Sequence, residues 1–409
     1  MLKKLSCLLI LVGLNVSIAA ISNNYELQSP EENSILIDNT TMLKSTNAEY
    51  LQASHSKELD QKMYEPMQHT HPSFIVLHYT VTTTIEQTMD TFYRRGVSTH
   101  YTIDRNGKIY QHIDHGNVAY HAGISFWRGK ANLNWYSIGI EQINTGSDVD
   151  KWGDTLPAQP ADDQNWETWS EPQYQAVKYL IAKITTEEQE VIKPWNIIGH
   201  GDIAPDRKVD PGPYYSWKKL HDEYEIGFWP DDLIVVPEEV VTNLKNDDYI
   251  LLLHAFGYAK PNFISSVENL EELKKLWPQE KAENNWQIIQ TTSNKMTVEQ
   301  IIKAFQYHYL QEKFSNDISY RSQKLDYATK VMILKCISGI IIANNDANDS
   351  YSIRQLQAML TTGELSFMAQ DALTQILLKY TENLADIAPK KNEILNIVKL
   401  LTTNDKEDL

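Results

Sequence analysis

His200, Lys208 and Asp210 stand at offsets of zero, eight and ten within HGDIAPDRKVDPG, His200 to Gly212. An imidazole, an ammonium and a carboxylate converging from one loop suit a metal site with a cationic neighbour. The segment holds too much Pro and Gly for a helix. Asp206, Arg207 and Lys208 crowd too much charge beside Asp210 for a core strand. Pro205 and Pro211 stiffen the loop, and an Asp directly before Pro is pushed towards an extended backbone. FIVLHYT, Phe74 to Thr80, supplies a further ligand, because His78 sits near the end of its apolar run. Zinc accepts imidazole nitrogen and carboxylate oxygen, and a hydrolytic site keeps its fourth position for water. His78, His200 and Asp210 would make such a set. Any one of the twelve histidines taken alone is better explained as a packed residue. The spacing of the whole constellation carries the expectation.

A metal-assisted hydrolysis also needs a base. Glu141 in SIGIEQI, Ser137 to Ile143, is the candidate: a carboxylate beside activated water can take its proton and pass it to a leaving amine. The same residue reads equally well as a strand glutamate facing solvent, since alternate strand residues point outward. Lys208 could donate to the oxyanion formed when a carbonyl is attacked, or it is a solvated loop lysine. His121 in AYHAG and His100 in THYTI either line the cleft or are buried and hydrogen-bonded. His71, His112 and His115 follow no pattern. No HExxH occurs, which disfavours a zinc peptidase of that type.

These residues need a scaffold. Phe74–Leu77 reads as a buried strand, and Thr83–Arg94 as a helix with Ile85, Met89 and Phe92 on one face and Gly96 as its stop. His100–Asp104 and Lys108–Ile113 flank the turn Arg105-Asn106-Gly107, a hairpin signal. Ser137–Ile143 is the next strand, with Ile138 and Ile140 on one face and Gly139 and Glu141 on the other. The long irregular stretch Asn144–Trp169 holds Trp152, Trp166 and Trp169, which could stack on sugar rings or cover the sheet. Ser170 and Gln173 form a capping box with Pro172 in the first turn, and Tyr174, Val177, Leu180, Ile181 and Ile184 form the buried stripe of the helix. A strand at Ile197–Ile198 leads into His200. This order predicts an α/β domain with a mixed central sheet flanked by helices. From Pro237 the pattern is helical throughout, with stripes at Val240–Phe256, Val267–Leu276, Thr297–Tyr309, Ala328–Ile337, Ser352–Leu360, Ser366–Tyr380 and Glu393–Leu401, and a break near Asn344–Asn348. The expected architecture is therefore an α/β domain followed by an all-α region.

Length and charge bound the rest. A chain of 409 residues and formal charge −17 is too long for one small core. Lys3 and Lys4, the apolar run Leu8–Leu14, and Ser17 and Ala19 at the minus-three and minus-one positions read as an export signal over residues 1–19. Without Lys3 and Lys4, 35 basic residues face 54 acidic ones, which argues against a nucleic-acid partner and against simple attraction to anionic lipid. No later segment is long and apolar enough to span a membrane. Cys7 leaves with the signal, so Cys336 alone remains, with no intramolecular disulfide and no cysteine zinc site. The expected address is periplasmic or secreted. The expected divisions are the signal, a polar arm over 20–66, the α/β domain over 67–232, a helical domain over 233–340 and a helical extension over 341–409.

FIVLHYT, YHAG (Tyr120 to Gly123), NWYSIGIE (Asn134 to Glu141) and GHGDIAPDRKVDPG (Gly199 to Gly212) together resemble the zinc N-acetylmuramoyl-L-alanine amidase family. Its fold is shared with AmpD and the peptidoglycan recognition proteins, and the YSWKKL and IGFWPDD segments look closer to the AmiD-type periplasmic members. The resemblance covers about Met67 to Asp232. It implies zinc on His78, His200 and Asp210, Glu141 as catalytic glutamate, and Lys208 as the lysine that stabilises the transition state. None of the five is substituted. The implied reaction cuts the amide between the lactyl group of N-acetylmuramic acid and L-alanine, with peptidoglycan or muropeptides as partner. His121, His100, Asn134 and Trp135 are the candidate substrate contacts. LLLHAFGY (Leu251 to Tyr258) and IIKAFQYHYL (Ile301 to Leu310) resemble the small helical peptidoglycan-binding module of such amidases. The rival reading is a recognition protein on the same fold that binds muropeptide without cutting it; its mark, a lost zinc ligand, is absent.

Overall fold

The computed structural model describes residues 72–147, 166–187, 192–261, 296–316, 323–343, 351–384 and 388–402. The expected signal and arm, Trp152, the stripe at Val267–Leu276 and the break near Asn344–Asn348 lie outside the described residues.

Strand β1, Phe74–Tyr79, alternates strictly. Phe74, Val76 and His78 point to one face; Ile75, Leu77 and Tyr79 point to the other. Helix α1, Ile85–Arg95, starts where Thr84 Oγ1 accepts the Gln87 N–H and stops at Gly96, whose φ of 61° suits a residue without a Cβ. The expected hairpin follows as β2, Tyr101–Ile103, and β3, Ile109–Gln111, with Ile103 opposite Ile109. A two-residue ribbon, β4 Phe126–Trp127 and β5 Lys130–Ala131, turns through Arg128 and Gly129, both at positive φ. It is too short for alternation to reveal it in the sequence. Strand β6, Ser137–Gln142, leads across to α2, Glu171–Glu187, where Gln173 Oε1 accepts the Ser170 N–H and Ser170 Oγ accepts the Gln173 N–H. Strand β7, Ile197–Gly199, runs straight into the one-turn helix α3, His200–Ile203, and then α4, Trp217–Tyr224.

The five-stranded sheet has the order β3-β2-β6-β1-β7. All neighbours are parallel except the edge pair β2–β3. One face, carrying Ile75, Leu77, Ile138 and Ile140, is covered by α2 through Tyr174, Val177, Leu180, Ile181 and Ile184, the stripe expected from the sequence.

The other face is covered by the helical region. Among the described residues this comprises α5 Glu238–Asn243, α6 Asn246–Phe256, α7 Val298–Tyr309, α8 Gln311–Asn316, α9 Tyr327–Ala343, α10 Tyr351–Thr362, α11 Phe367–Asn383 and α12 Ala388–Thr402. Phe74, Val76 and Ile198 of the sheet share one continuous core with Phe256, Phe305, Ile337, Leu373 and Leu401. The stripe expected over Val240–Phe256 is two helices, because Asp248 Oδ2 accepts the Lys245 N–H and starts a second one. Helix α9 runs past the expected Ile337 to Ala343 and is apolar nearly all round, as a buried helix must be. No described helix is long and apolar enough to cross a membrane.

Arg128 ties the two regions together. Its side chain is 7% exposed and donates to the Phe256 carbonyl at 2.9 Å and to Ser352 Oγ at 3.0 Å, while its backbone N–H donates to the Gly257 carbonyl. Arg128→Met keeps much of the stem but strands these buried acceptors, a loss of about 1–3 kcal/mol. Denaturant melts of the full chain check that figure.

Candidate metal centre

In open α/β sheets, ligands collect at the carboxyl ends of parallel strands. Three adjacent strands, β6, β1 and the edge strand β7, end there with Glu141 on β6, His78 on β1 and His200 immediately after β7. His78 and Glu141 are register partners, so their side chains leave the same face side by side. Asp210 is brought in because the loop after His200 doubles back: Gly201 N–H donates to the Asp210 carbonyl at 2.8 Å. Glycine is required for this close approach, since a Cβ on Gly199 would lie 2.7 Å from Pro211 Cδ.

His78 Nδ1, His200 Nδ1 and Asp210 Oδ2 form a triangle with edges of 2.9, 3.1 and 3.1 Å. All three side chains are buried and together could hold a metal ion. Hydrogen-bond partners fix the protons. Ser137 Oγ donates to the Leu133 carbonyl at 2.6 Å, so it accepts from His121 Nε2–H at 3.3 Å. His121 Nδ1 is then the acceptor for His78 Nε2–H at 2.9 Å, which leaves a lone pair on His78 Nδ1. His200 Nε2–H donates to the Ala122 carbonyl at 3.1 Å, leaving a lone pair on its Nδ1 as well. Two lone pairs and a carboxylate oxygen therefore meet with no proton between them. A cation resolves that repulsion, and the edges fall only slightly short of the roughly 3.4 Å expected for tetrahedral ligands at about 2.1 Å.

Electrostatics agree. Burial lowers His78 and drives His200 down to about 3, which keeps both imidazoles neutral, the form that ligates metals. Glu141 is half-buried, with Oε2 sealed from solvent and without a hydrogen-bond partner among the described residues. Burial raises its carboxyl well above the ordinary value; Asp210 adds to this and Lys208 opposes it. The Lys208 ammonium is lowered by burial and by Arg207, while Asp210 and Glu141 pull it back up.

A family model described as N-acetylmuramoyl-L-alanine amidase matches residues 68–213. AmiD of Escherichia coli (strain K12), an N-acetylmuramoyl-L-alanine amidase, is 35% identical over 223 residues, which is 50% of this chain and 74% of AmiD. The chain belongs to the N-acetylmuramoyl-L-alanine amidase family. The 1,6-anhydro-N-acetylmuramyl-L-alanine amidase AmpD of Haemophilus influenzae is 32% identical over 127 residues, 31% of this chain and 58% of AmpD. The solved complex of Escherichia coli AmiD with anhydro-N-acetylmuramic acid-L-Ala-D-gamma-Glu-L-Lys is 26% identical, covering 65% of this chain and 89% of that one, at a TM-score of 0.47.

In this amidase three of the four expected substrate contacts turn inward instead. His121 is 8% exposed and backs His78; its ring fills the space left by Gly139, where a Cβ would lie 2.5 Å from His121 Cγ. His100 is 0% exposed, with Nδ1 accepting the Gly139 N–H and Nε2 donating to the Asn117 carbonyl. Asn134 Oδ1 accepts the N–H groups of His121 and Ala122. All three are buried with hydrogen-bonding atoms engaged by the protein itself. Trp135 is half-buried in the 3-10 turn Leu133–Trp135.

Sequence reasoning passed over Arg207 except as local charge. Its guanidinium donates to the carbonyls of Ala122 and Ile124 at 2.5 and 2.7 Å, locking the turn that follows His121 to the metal loop. Gly123, at φ +55°, leaves room for that guanidinium. An Arg inside the loop whose partners are backbone carbonyls 85 and 83 residues away carries no periodic signal that could have revealed this.

Proposed function

We propose that this amidase hydrolyses the amide between the lactyl group of N-acetylmuramic acid, ordinary or anhydro, and the L-alanine of the peptidoglycan stem peptide. Zinc is the proposed metal, held by His78, His200 and Asp210. The observation that carries the reading is the convergence of three proton-free ligand atoms beside Glu141. The names of the relatives support the choice of bond. When bound, zinc would supply a Lewis acid for the scissile carbonyl and make water acidic enough to attack near neutral pH.

The chain's own residues do the rest. Glu141, poised by burial to hold a proton, takes one from the attacking water and delivers it to the nitrogen of the departing L-alanine. Lys208 faces the carbonyl oxygen and offsets the negative charge that develops there. His121 keeps the His78 Nδ1 lone pair turned to the centre, and the Ala122 carbonyl does the same for His200. Export by the segment over 1–19 would bring the enzyme to its substrate.

The test is direct. Purified protein is incubated with isolated peptidoglycan, with and without a chelator, and soluble products are read by mass spectrometry. Free peptides beginning with L-alanine are expected, lost on chelation and restored by added zinc. Tight zinc binding without released peptide would sink the catalytic reading and leave a recognition protein.

A further inference from the structure

Asp202 follows His200 by two residues and is 4% exposed. Its carboxylate accepts three hydrogen bonds. Oδ2 takes the Gly199 N–H at 2.8 Å and His308 Nδ1–H at 2.7 Å, and Oδ1 takes the Tyr258 hydroxyl at 2.5 Å. The first bond closes the turn that presents His200. The other two donors come from the helical region, 106 and 56 residues further along the chain.

His308 is itself held rigidly. Its ring stacks on Trp217, with centroids 4.0 Å apart, and on Tyr309, with centroids 4.1 Å apart. The rest of helix α7 keeps it against the metal loop. Gln300 Nε2 donates to the Asp206 carbonyl at 3.3 Å, and just past the helix Gln311 Oε1 accepts the Trp217 N–H at 2.9 Å.

We propose that His308, supported by Tyr258, is a positioning residue for the metal centre, acting through Asp202 on the Gly199–His200 turn. This rests on the reading of His200 as a metal ligand. A buried carboxylate that loses a donor is left with an acceptor site it must satisfy elsewhere or leave desolvated at a cost. When one is removed, the side chain must rotate or draw in water, and the Gly199 N–H is loosened with it. Metal sites tolerate placement errors of only about 0.5 Å, so a loosened turn reaches His200 Nδ1 directly. The helical region is then part of the catalytic unit as well as cover for the sheet.

The experiment uses the full chain carrying His308→Leu, His308→Asn or Tyr258→Phe. Zinc affinity is measured by competition with a chelator, kcat and KM on a soluble muropeptide at saturating zinc, and folding by thermal melts. His308→Leu is expected to lose about 10–100-fold in zinc affinity, the usual cost of a lost outer partner, and to lower kcat with KM nearly unchanged. Asparagine, whose side-chain amide places a donor near the position of Nδ1, recovers most of both. Tyr258→Phe moves the same way by less. A folded leucine variant with lower thermal stability but wild-type zinc affinity and kcat would overturn the proposal, leaving a network that only stabilises the fold. Should the leucine variant not fold, Tyr258→Phe decides by the same criteria. If the wild-type protein binds zinc yet releases no peptide, the amidase reading fails while the affinity comparison still decides the role of His308.

Discussion

His200→Ala is expected to strip the protein of its metal and lower amide hydrolysis by on the order of 10³-fold or more, because Lewis-acid stabilisation is worth several kcal/mol and each 1.4 kcal/mol is a factor of ten. The substitution removes one corner of the triangle formed with His78 and Asp210, and two ligands do not make a structural equivalent of three. It also removes the donor to the Ala122 carbonyl, but Arg207 still donates to that oxygen, so the loop keeps a tie. The fold should therefore survive. His100→Asn is the matched control: that ring is as deeply buried and as fully hydrogen-bonded, yet lies outside the triangle. Metal content of the purified variants separates the two. Equal zinc in both, with activity retained in His200→Ala, would remove the assignment of the centre.

The contrast between His200 and His100 also marks what the sequence made legible. The three candidate ligands were readable because they end or follow apolar runs, where strand termini must lie, and because Pro and Gly give the loop of His200 and Asp210 a distinctive composition. The parallel strands and helix α2 were readable for the same reason: Ile138, Ile140 and the stripe from Tyr174 to Ile184 repeat with the periods of strand and helix. What was not readable depends on contacts without a period. His121 reaches His78 only because Gly139 leaves room across the sheet. Asp202 finds His308 at a separation of 106 residues. A polar residue's partner at such range leaves no trace in local pattern, and this is why the sequence alone left His121 and His100 open between lining the cleft and being buried and hydrogen-bonded.

Glu141→Gln is expected to lower kcat by about 10²–10⁴-fold, the usual contribution of a positioned general base, while making the metal-free fold more stable at neutral pH. The two effects have one cause. Glu141 Oε2 is buried without a partner among the described residues, and burial and Asp210 raise its carboxyl well above the ordinary range. In the unfolded chain the proton leaves near about pH 4.3. Between that value and the raised folded one, the folded state keeps a proton that the unfolded state has released, so stability falls as pH rises through the window and stays low above it. Glutamine has no proton to lose and keeps the polar volume. Its melting temperature, measured on metal-free protein, should come closest to wild type at about pH 3, well below the unfolded value, where the carboxyl is protonated in both states, and exceed it increasingly towards neutral pH. A glutamine variant that melts below wild type at neutral pH would mean that the folded protein satisfies the carboxylate after all, and the strain needed to make Glu141 a base would be missing. With that strain present, the residue sits where function costs stability.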